Sequence, residues 1–269
     1  VEYKPELIFQ LGHLRYAYPH GMWSGDAVHV TWVQDWMSWI LAEQAQDSLP
    51  RKEMVARFNA GRDLIYASFP ALQARIIEAG FDERRVKFLP PGANFDMFYP
   101  APMPGEPFTV GFPCNVGAPM TWQDPVRKAR RLDPVKWLVE LGVPLKLWGQ
   151  GWDQLEWAKP YWQGLVANGP ELRRAYQSCH VILMSNSDTG YHQRVYEARA
   201  CDCIVLEYLP NEEECRKRIF YFSTRLELDF LLALCKNARP STKEEMDAKR
   251  TADDYPSRCQ DILNAVSGL

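Results

Sequence analysis

Residues 187–208, SDTGYHQRVYEARACDCIVLEY, follow one short apolar run, Val181-Ile182-Leu183-Met184, and end in another, Ile204-Val205-Leu206. Each run has the length of a buried strand and is bounded by turn-forming residues. The stretch between them, about residues 191–200, has a helical pattern. A strand, a helix and a second strand in so short a span predict parallel strands joined by a crossover helix. That helix opens with His192-Gln193-Arg194 and carries Glu197 a turn further on, an arrangement that packing alone does not require.

The same alternation extends outward in both directions. Before it, strands are predicted over 7–9, 28–33, 63–68 and 86–90, with helices over 37–46, 51–60 and 70–80. Pro70 and Gly80 sit where a helix starts and stops. Residues 90–107, PPGANFDMFYPAPMPGEP, are rich in Pro and Gly and read as a linker. A second series predicts strands over 108–113, 144–149, 164–168, 180–185, 203–208 and 219–223. Its helices are expected over 134–141, 169–179, 191–200 and 211–217, with two or more from residue 225 onward. Two such series predict an α/β chain of two Rossmann-like domains with parallel sheets. The first is small or incomplete, because Gly12 precedes no helical pattern and no glycine-rich opening turn is present. The chain begins Val1-Glu2-Tyr3-Lys4, so processing, trimming or missing upstream sequence is expected.

Composition removes several classes of function. A formal charge of −3 over 269 residues offers no electrostatic footprint for nucleic acid or an anionic membrane. No apolar run approaches the ~20 residues that span a bilayer. The seven cysteines include no Cys-x-x-Cys pair, and Cys201-Asp202-Cys203 has the wrong spacing for a zinc knuckle. Cys114, Cys179, Cys201, Cys203 and Cys235 lie in apolar surroundings and read as buried free thiols, which places the protein in a reducing cytoplasm. Neither His-x-x-x-His nor Asp-x-Asp occurs, so no metal site is expected; Asp253-Asp254 reads as a surface pair. Ten Trp and twelve Tyr are many; most are expected in the core, and a surplus also suits a carbohydrate-handling cleft.

In a parallel sheet, ligands bind beyond the carboxyl ends of the strands, where the next helix starts. Ser187-Asp188-Thr189-Gly190 occupies that position. The free N–H groups of the helix end favour a phosphate. Gly190 permits close approach, Thr189 offers a hydroxyl, and His192 and Arg194 lie in the first turn. Glu197 is then placed to accept the hydroxyls of a ribose. The alternative is structural: Asp188 or Thr189 caps the helix and Glu197 pairs with Arg194.

HQRVYEARACDCIVLEY, with its E-A-x-A-x-x-x-x-V segment from Glu197, resembles the donor-site signature of GT-B glycosyltransferases. The match is nearest the CgeB-like, or spore-maturation-type, branch and the glycosyl transferases group 1 family. HVTWVQDW, DLIYASFPALQARIIEAGFDERRVKFLPPGANFDMFYP, PLKLWGQGW and GPELRRAYQSCHVILMSNS resemble further segments of that fold in the same order, so the likeness covers about residues 28–240. The resemblance implies two domains whose sheets face a cleft. Residues 1–102 would form the acceptor-side domain, joined by a C-terminal helix within 244–269, and 103–243 the donor domain. It implies a nucleoside-diphosphate sugar as donor substrate, no separate cofactor, no metal, and a hydroxyl-bearing acceptor: a glycan, a protein or a small molecule.

By the same resemblance, Glu197 would bind the ribose, and Thr189, Gly190, Tyr191 and His192 would meet the diphosphate. Val166 would lie at the base, and Gly149 and Gly151 would form the turn beneath the donor. One of Arg127, Lys128, Arg130 and Arg131 would neutralise the leaving diphosphate; which one is left open, and Arg131 is taken as the candidate. The family's second Glu, eight residues before the first, is Thr189 here, which leaves retaining chemistry open. An inverting reaction needs a general base, for which Asp35 is the first candidate, with His13 and then His20 behind it. Asp35 also suits a helix cap. A nucleotide-sugar epimerase and a non-catalytic nucleotide-sugar-binding subunit remain as alternatives on the same scaffold.

Overall fold

The structure, a computed structural model, describes residues 7–11, 27–33, 51–101, 106–116, 125–185, 192–208 and 220–267. The chain divides into two units, one of Val1–Pro91 with Pro256–Leu269 and one of Gly92–Tyr255.

In the first unit, β1 (Leu7–Leu11), β2 (Val28–Val33), β3 (Leu64–Ala67) and β4 (Val86–Phe88) form a four-stranded parallel sheet in sequential order. β2 and β3 are buried along their whole length; β3 reads as an unbroken apolar run, whereas β2 carries His29 and Thr31 between its apolar residues. Helix α1 (Arg51–Ala60) precedes β3, and α2 (Pro70–Glu78) connects β3 to β4, burying Leu72 and Ile76. The Trp32 indole donates to the Leu89 carbonyl at 3.0 Å, and the rings of Phe58 and Phe81 meet edge to face at 5.2 Å.

The second unit holds β5 (Val110–Pro113), α3 (Pro125–Glu140), β6 (Leu145–Trp148), α4 (Pro170–Gln177), β7 (Val181–Met184), α5 (Gln193–Ala200), β8 (Ile204–Tyr208) and β9 (Phe220–Phe222). Its five strands are parallel, in the order β6-β5-β7-β8-β9. Side chains alternate between two cores, as a pleated sheet requires. Val110, Phe112, Leu147, Leu183 and Leu206 face one side, with Leu132, Val135 and Leu138 of α3 and, from helix α6 (Arg225–Lys236), Leu228 and Leu232. Trp148, Ile182, Met184 and Val205 face the other, with Leu172 and Tyr176 of α4 and Val195 and Ala198 of α5. Thr224 opens α6 and Thr242 opens α7 (Lys243–Asp253), each in a reciprocal cap with the glutamate three residues on.

Several expectations change. The helix predicted over 134–141 begins at Pro125, and Pro134 lies inside it. Leu132 and Val135, on either side of the proline, are buried in the same core, so packing carries the helix through a residue that disfavours it. No strand forms over 164–168. The chain meets β6 just before it, through a bridge between Leu147 and Trp162 and the Gly149 N–H donated to the Gly164 carbonyl at 3.0 Å, and Gly164, at φ 95°, then turns it away. Residues 92–101, assigned in the reading above to the first domain, pack within the second unit, where the Ala93 N–H donates to the Asp253 carbonyl at 2.9 Å. The region 244–269 holds two helices, α7 and α8 (Tyr255–Ser267), separated by the extended Asp254, and α7 belongs to the second unit. Asp253 and Asp254 are buried, not surface residues: Asp253 pairs with Arg199 at 2.8 Å and Asp254 faces Arg250 at 3.7 Å. The helices predicted over 37–46 and 211–217 lie outside the described residues.

The described cysteines are all free, and Cys114, Cys179, Cys201, Cys203 and Cys235 are buried. Among the described residues no helix is long and apolar enough to cross a membrane.

Candidate functional site

The second sheet reverses its order at β5, which has β6 on one side and β7 on the other. In open parallel sheets such a reversal leaves a crevice beyond the carboxyl ends of the strands, and ligands bind there. β5 ends at Pro113 and β7 at Met184, and α5 starts on the far side of the turn after β7. The cap of α5 is His192, not Asp188 or Thr189: its Nδ1 accepts the Arg194 N–H at 3.2 Å, which puts the proton of a neutral ring on Nε2. Arg194 reaches across the reversal and donates from Nη1 to the Pro113 carbonyl.

The next two carbonyls of that loop are also held by side chains. Trp152 donates its indole N–H to the Cys114 oxygen at 2.6 Å, and Arg131 donates from Nη1 to the Asn115 oxygen at 2.6 Å. The Asn115 side chain in turn accepts the Gln150 N–H at 2.9 Å, which ties the loop after β5 to the loop after β6. The two loops lie so close that a β-carbon on Gly149 would stand 2.6 Å from Asn115 Oδ1. Gly149 has φ 116°, and Gly151 follows at φ 90°.

Glu197 lies in the second turn of α5 and is buried, 6% exposed. Its Oε1 accepts from Gln193 Nε2 at 2.9 Å and its Oε2 from the Tyr176 hydroxyl at 3.2 Å. Burial pushes its carboxyl above the ordinary carboxylate value, against the opposing pull of the Tyr176 hydrogen bond, the Arg194 charge and the Gln193 amide. Tyr176 is itself driven well above the usual phenol value, by burial first and by the Glu197 charge second. No Arg194–Glu197 ion pair takes the place of these bonds; the guanidinium serves the Pro113 carbonyl instead.

Glu197, Gln193, Arg194 and His192 line a cavity of about 360 Å³ together with Asn94, Asn168 and Tyr255, among others. The Tyr255 phenol is pushed up to about 12 by burial and by the Glu197 charge. Of the residues predicted from sequence, the cavity thus gathers Glu197, His192 and Arg194. Arg131, Gly149 and Gly151 shape the adjoining loops. Val166 packs against the core on the α4 side, and that segment reaches the cavity through Asn168 and Gly169 instead. Thr189, Gly190, Tyr191, Asp35, His13 and His20 lie outside the described residues, as do the side chains of Arg127, Lys128 and Arg130. Sequence reasoning missed Tyr176 and Gln193, the two partners of Glu197. Gln193 stands one turn before it, a spacing that was available; a core tyrosine on a different helix carries no such signal. Among the described residues no group of three or more His, Cys, Asp or Glu side chains converges as a metal site would need.

Residues 127–235 match a family model described as glycosyl transferase-like. A search of curated proteins returned no match. Solved structures are similar over nearly the whole chain. HepE from Anabaena, in complex with UDP, aligns with 90% of this chain and 73% of its own, at 15% identity and a TM-score of 0.60. Sucrose-phosphate synthase from Thermosynechococcus elongatus aligns with 98% of this chain and 73% of its own, at 14% identity and a TM-score of 0.64. The lipopolysaccharide outer core galactosyltransferase WaaB aligns with 89% of this chain and 75% of its own, at 12% identity and a TM-score of 0.56. At these identities the likeness is one of fold: the chain has the α/β, GT-B-like architecture.

Proposed function

We propose that this chain is a glycosyltransferase that moves a sugar from a nucleoside-diphosphate sugar to a hydroxyl acceptor. The observation that carries the reading is the buried Glu197 carboxylate, held on both oxygens and lining a cavity at the point where a parallel sheet reverses its order. Burying a charge costs stability, and here two hydrogen bonds offset part of that cost. The carboxylate would accept the ribose hydroxyls, while the start of α5, Arg194 and Arg131 would stabilise the diphosphate as it leaves. The bond between the anomeric carbon and the diphosphate breaks, the acceptor oxygen bonds to that carbon, and a base takes the hydroxyl proton. On the sequence resemblance, Asp35 is that base, with His13 second; the donor domain that the resemblance set at 103–243 is taken as the second unit, Gly92–Tyr255, and the first unit serves the acceptor. In this reading no metal takes part, Thr189, Gly190 and Tyr191 complete the diphosphate seat, the chain is of the CgeB-like kind that its sequence resembles, and the free thiols suit the cytoplasm.

HepE was crystallised with UDP and with UDP-glucose, so UDP is the first nucleotide to test. Melting temperatures of wild type and Glu197→Gln are measured with UDP, GDP, ADP and CDP. A rise with one of them in the wild type alone is the expected result. No rise with any of them overturns the donor site. Release of free sugar or transfer from the matching nucleotide sugar then separates an enzyme from a binding subunit, and a changed but still nucleotide-bound sugar would mean an epimerase.

A further inference from the structure

Tyr176 lies in the last turn of α4 and is wholly buried. Its ring packs near Phe98, with centroids 6.1 Å apart, and its own carbonyl accepts from the Cys203 thiol at 3.3 Å. Packing at this position asks only for an aromatic ring, which phenylalanine would supply. The hydroxyl adds a buried donor that must find an acceptor. Its acceptor is neither a backbone carbonyl nor water but one oxygen of Glu197, while Gln193 holds the other. An ionised carboxylate has about four lone-pair sites, two on each oxygen. The two bonds occupy one site on each oxygen and leave one on each for a ligand.

We propose that Tyr176 is the positioning residue for ribose recognition: by fixing Oε2 of Glu197 it aims the remaining lone pairs at the two adjacent hydroxyls of a bound ribonucleotide. This rests on the reading of Glu197 as the ribose ligand. Tyr176 itself touches no ligand; it acts through the carboxylate. Without it, Glu197 keeps one tether on the Gln193 side, its free oxygen can turn about the carboxyl bond, and the paired arrangement of acceptors is lost. A ribonucleotide then keeps its diphosphate contacts and loses the advantage that its 2′-hydroxyl conferred.

The test is calorimetric titration of wild type, Tyr176→Phe and Glu197→Gln with UDP, GDP and ADP, each beside its 2′-deoxy counterpart. Wild type is expected to prefer the ribonucleotide by about tenfold or more, the value of a hydrogen bond to a charged group. Tyr176→Phe should weaken the ribonucleotide about tenfold, leave the deoxynucleotide nearly unchanged, and so bring the preference towards one. If Tyr176→Phe keeps the full preference while Glu197→Gln abolishes it, the proposal is overturned and the ribose reading stands. If wild type binds no nucleotide, or does not distinguish the two sugars, both fall. Should Tyr176→Phe fail to fold, 3-fluorotyrosine placed at position 176 alone supplies the answer by fluorine NMR. Its resonance should move with the ribonucleotide and much less with the deoxynucleotide; equal responses sink the idea.

Discussion

A β-carbon on Gly149 would lie 2.8 Å from the carbonyl oxygen of Cys114, so these two residues lie side by side only because one of them has no side chain. Gly149→Ala meets that backbone oxygen and a left-handed φ of 116° at once. The Asn115 side-chain oxygen, 2.6 Å from that β-carbon, can step aside, but the Cys114 carbonyl is backbone and cannot. The substitution should cost about 2 kcal/mol or more, read as a lower denaturant midpoint at unchanged slope. A variant as stable as wild type would mean that the two exit loops separate freely.

Glu197→Gln should act in opposite directions on stability and on binding. The folded-state pKa of Glu197 is raised, so the folded protein holds this proton more tightly than the unfolded chain does. Burying the charge therefore costs stability above the raised pKa, and the cost disappears as pH falls below the ordinary carboxylate value. The neutral amide should leave the unliganded protein at least as stable as wild type at pH 7, with any advantage vanishing in acid. Nucleotide binding by wild type should run the other way and weaken on acidification, as the carboxylate takes up its proton. Melting temperatures against pH, with and without nucleotide, check both signs.

Arg194→Lys keeps the positive charge and loses the planar fork that spans from α5 to the Pro113 carbonyl. UDP should bind about tenfold or more weakly, while uridine, which has no phosphate, should bind almost as before. An equal loss for both ligands would place Arg194 in the scaffold and not against the diphosphate.

Trp152→Phe removes the indole N–H from a fully buried site and leaves the Cys114 carbonyl without that donor. The expected loss is about 1–3 kcal/mol in chemical denaturation. The nucleotide response should weaken with it, because this carbonyl sits between those held by Arg194 and Arg131.

Strands were legible where burial leaves a short apolar run, as at Val181–Met184, or where apolar residues recur at every second position, as at Val28–Val33. The start of α3 was not, since its first turns, PVRKARRL, carry little apolar periodicity and Pro134 imitates a beginning. For the site, Glu197 stood out as a carboxylate on a helix that otherwise packs between strands. The partners that define its chemistry did not, because Tyr176 sits 21 residues away and its ring is indistinguishable, in a pattern of apolar positions, from any other core aromatic. Likewise the ties from Arg194, Trp152 and Arg131 to three successive carbonyls depend on backbone acceptors, which no residue letter encodes.

The second unit is contiguous, Gly92–Tyr255, whereas the first joins residues before Gly92 to Pro256–Leu269. During synthesis the chain emerges from its N-terminus, and domains fold as units. By the time Tyr255 has left the ribosome, every residue of the candidate donor site is available to assemble, yet the unit translated first still lacks a segment. The order of translation and the order of completion are therefore reversed.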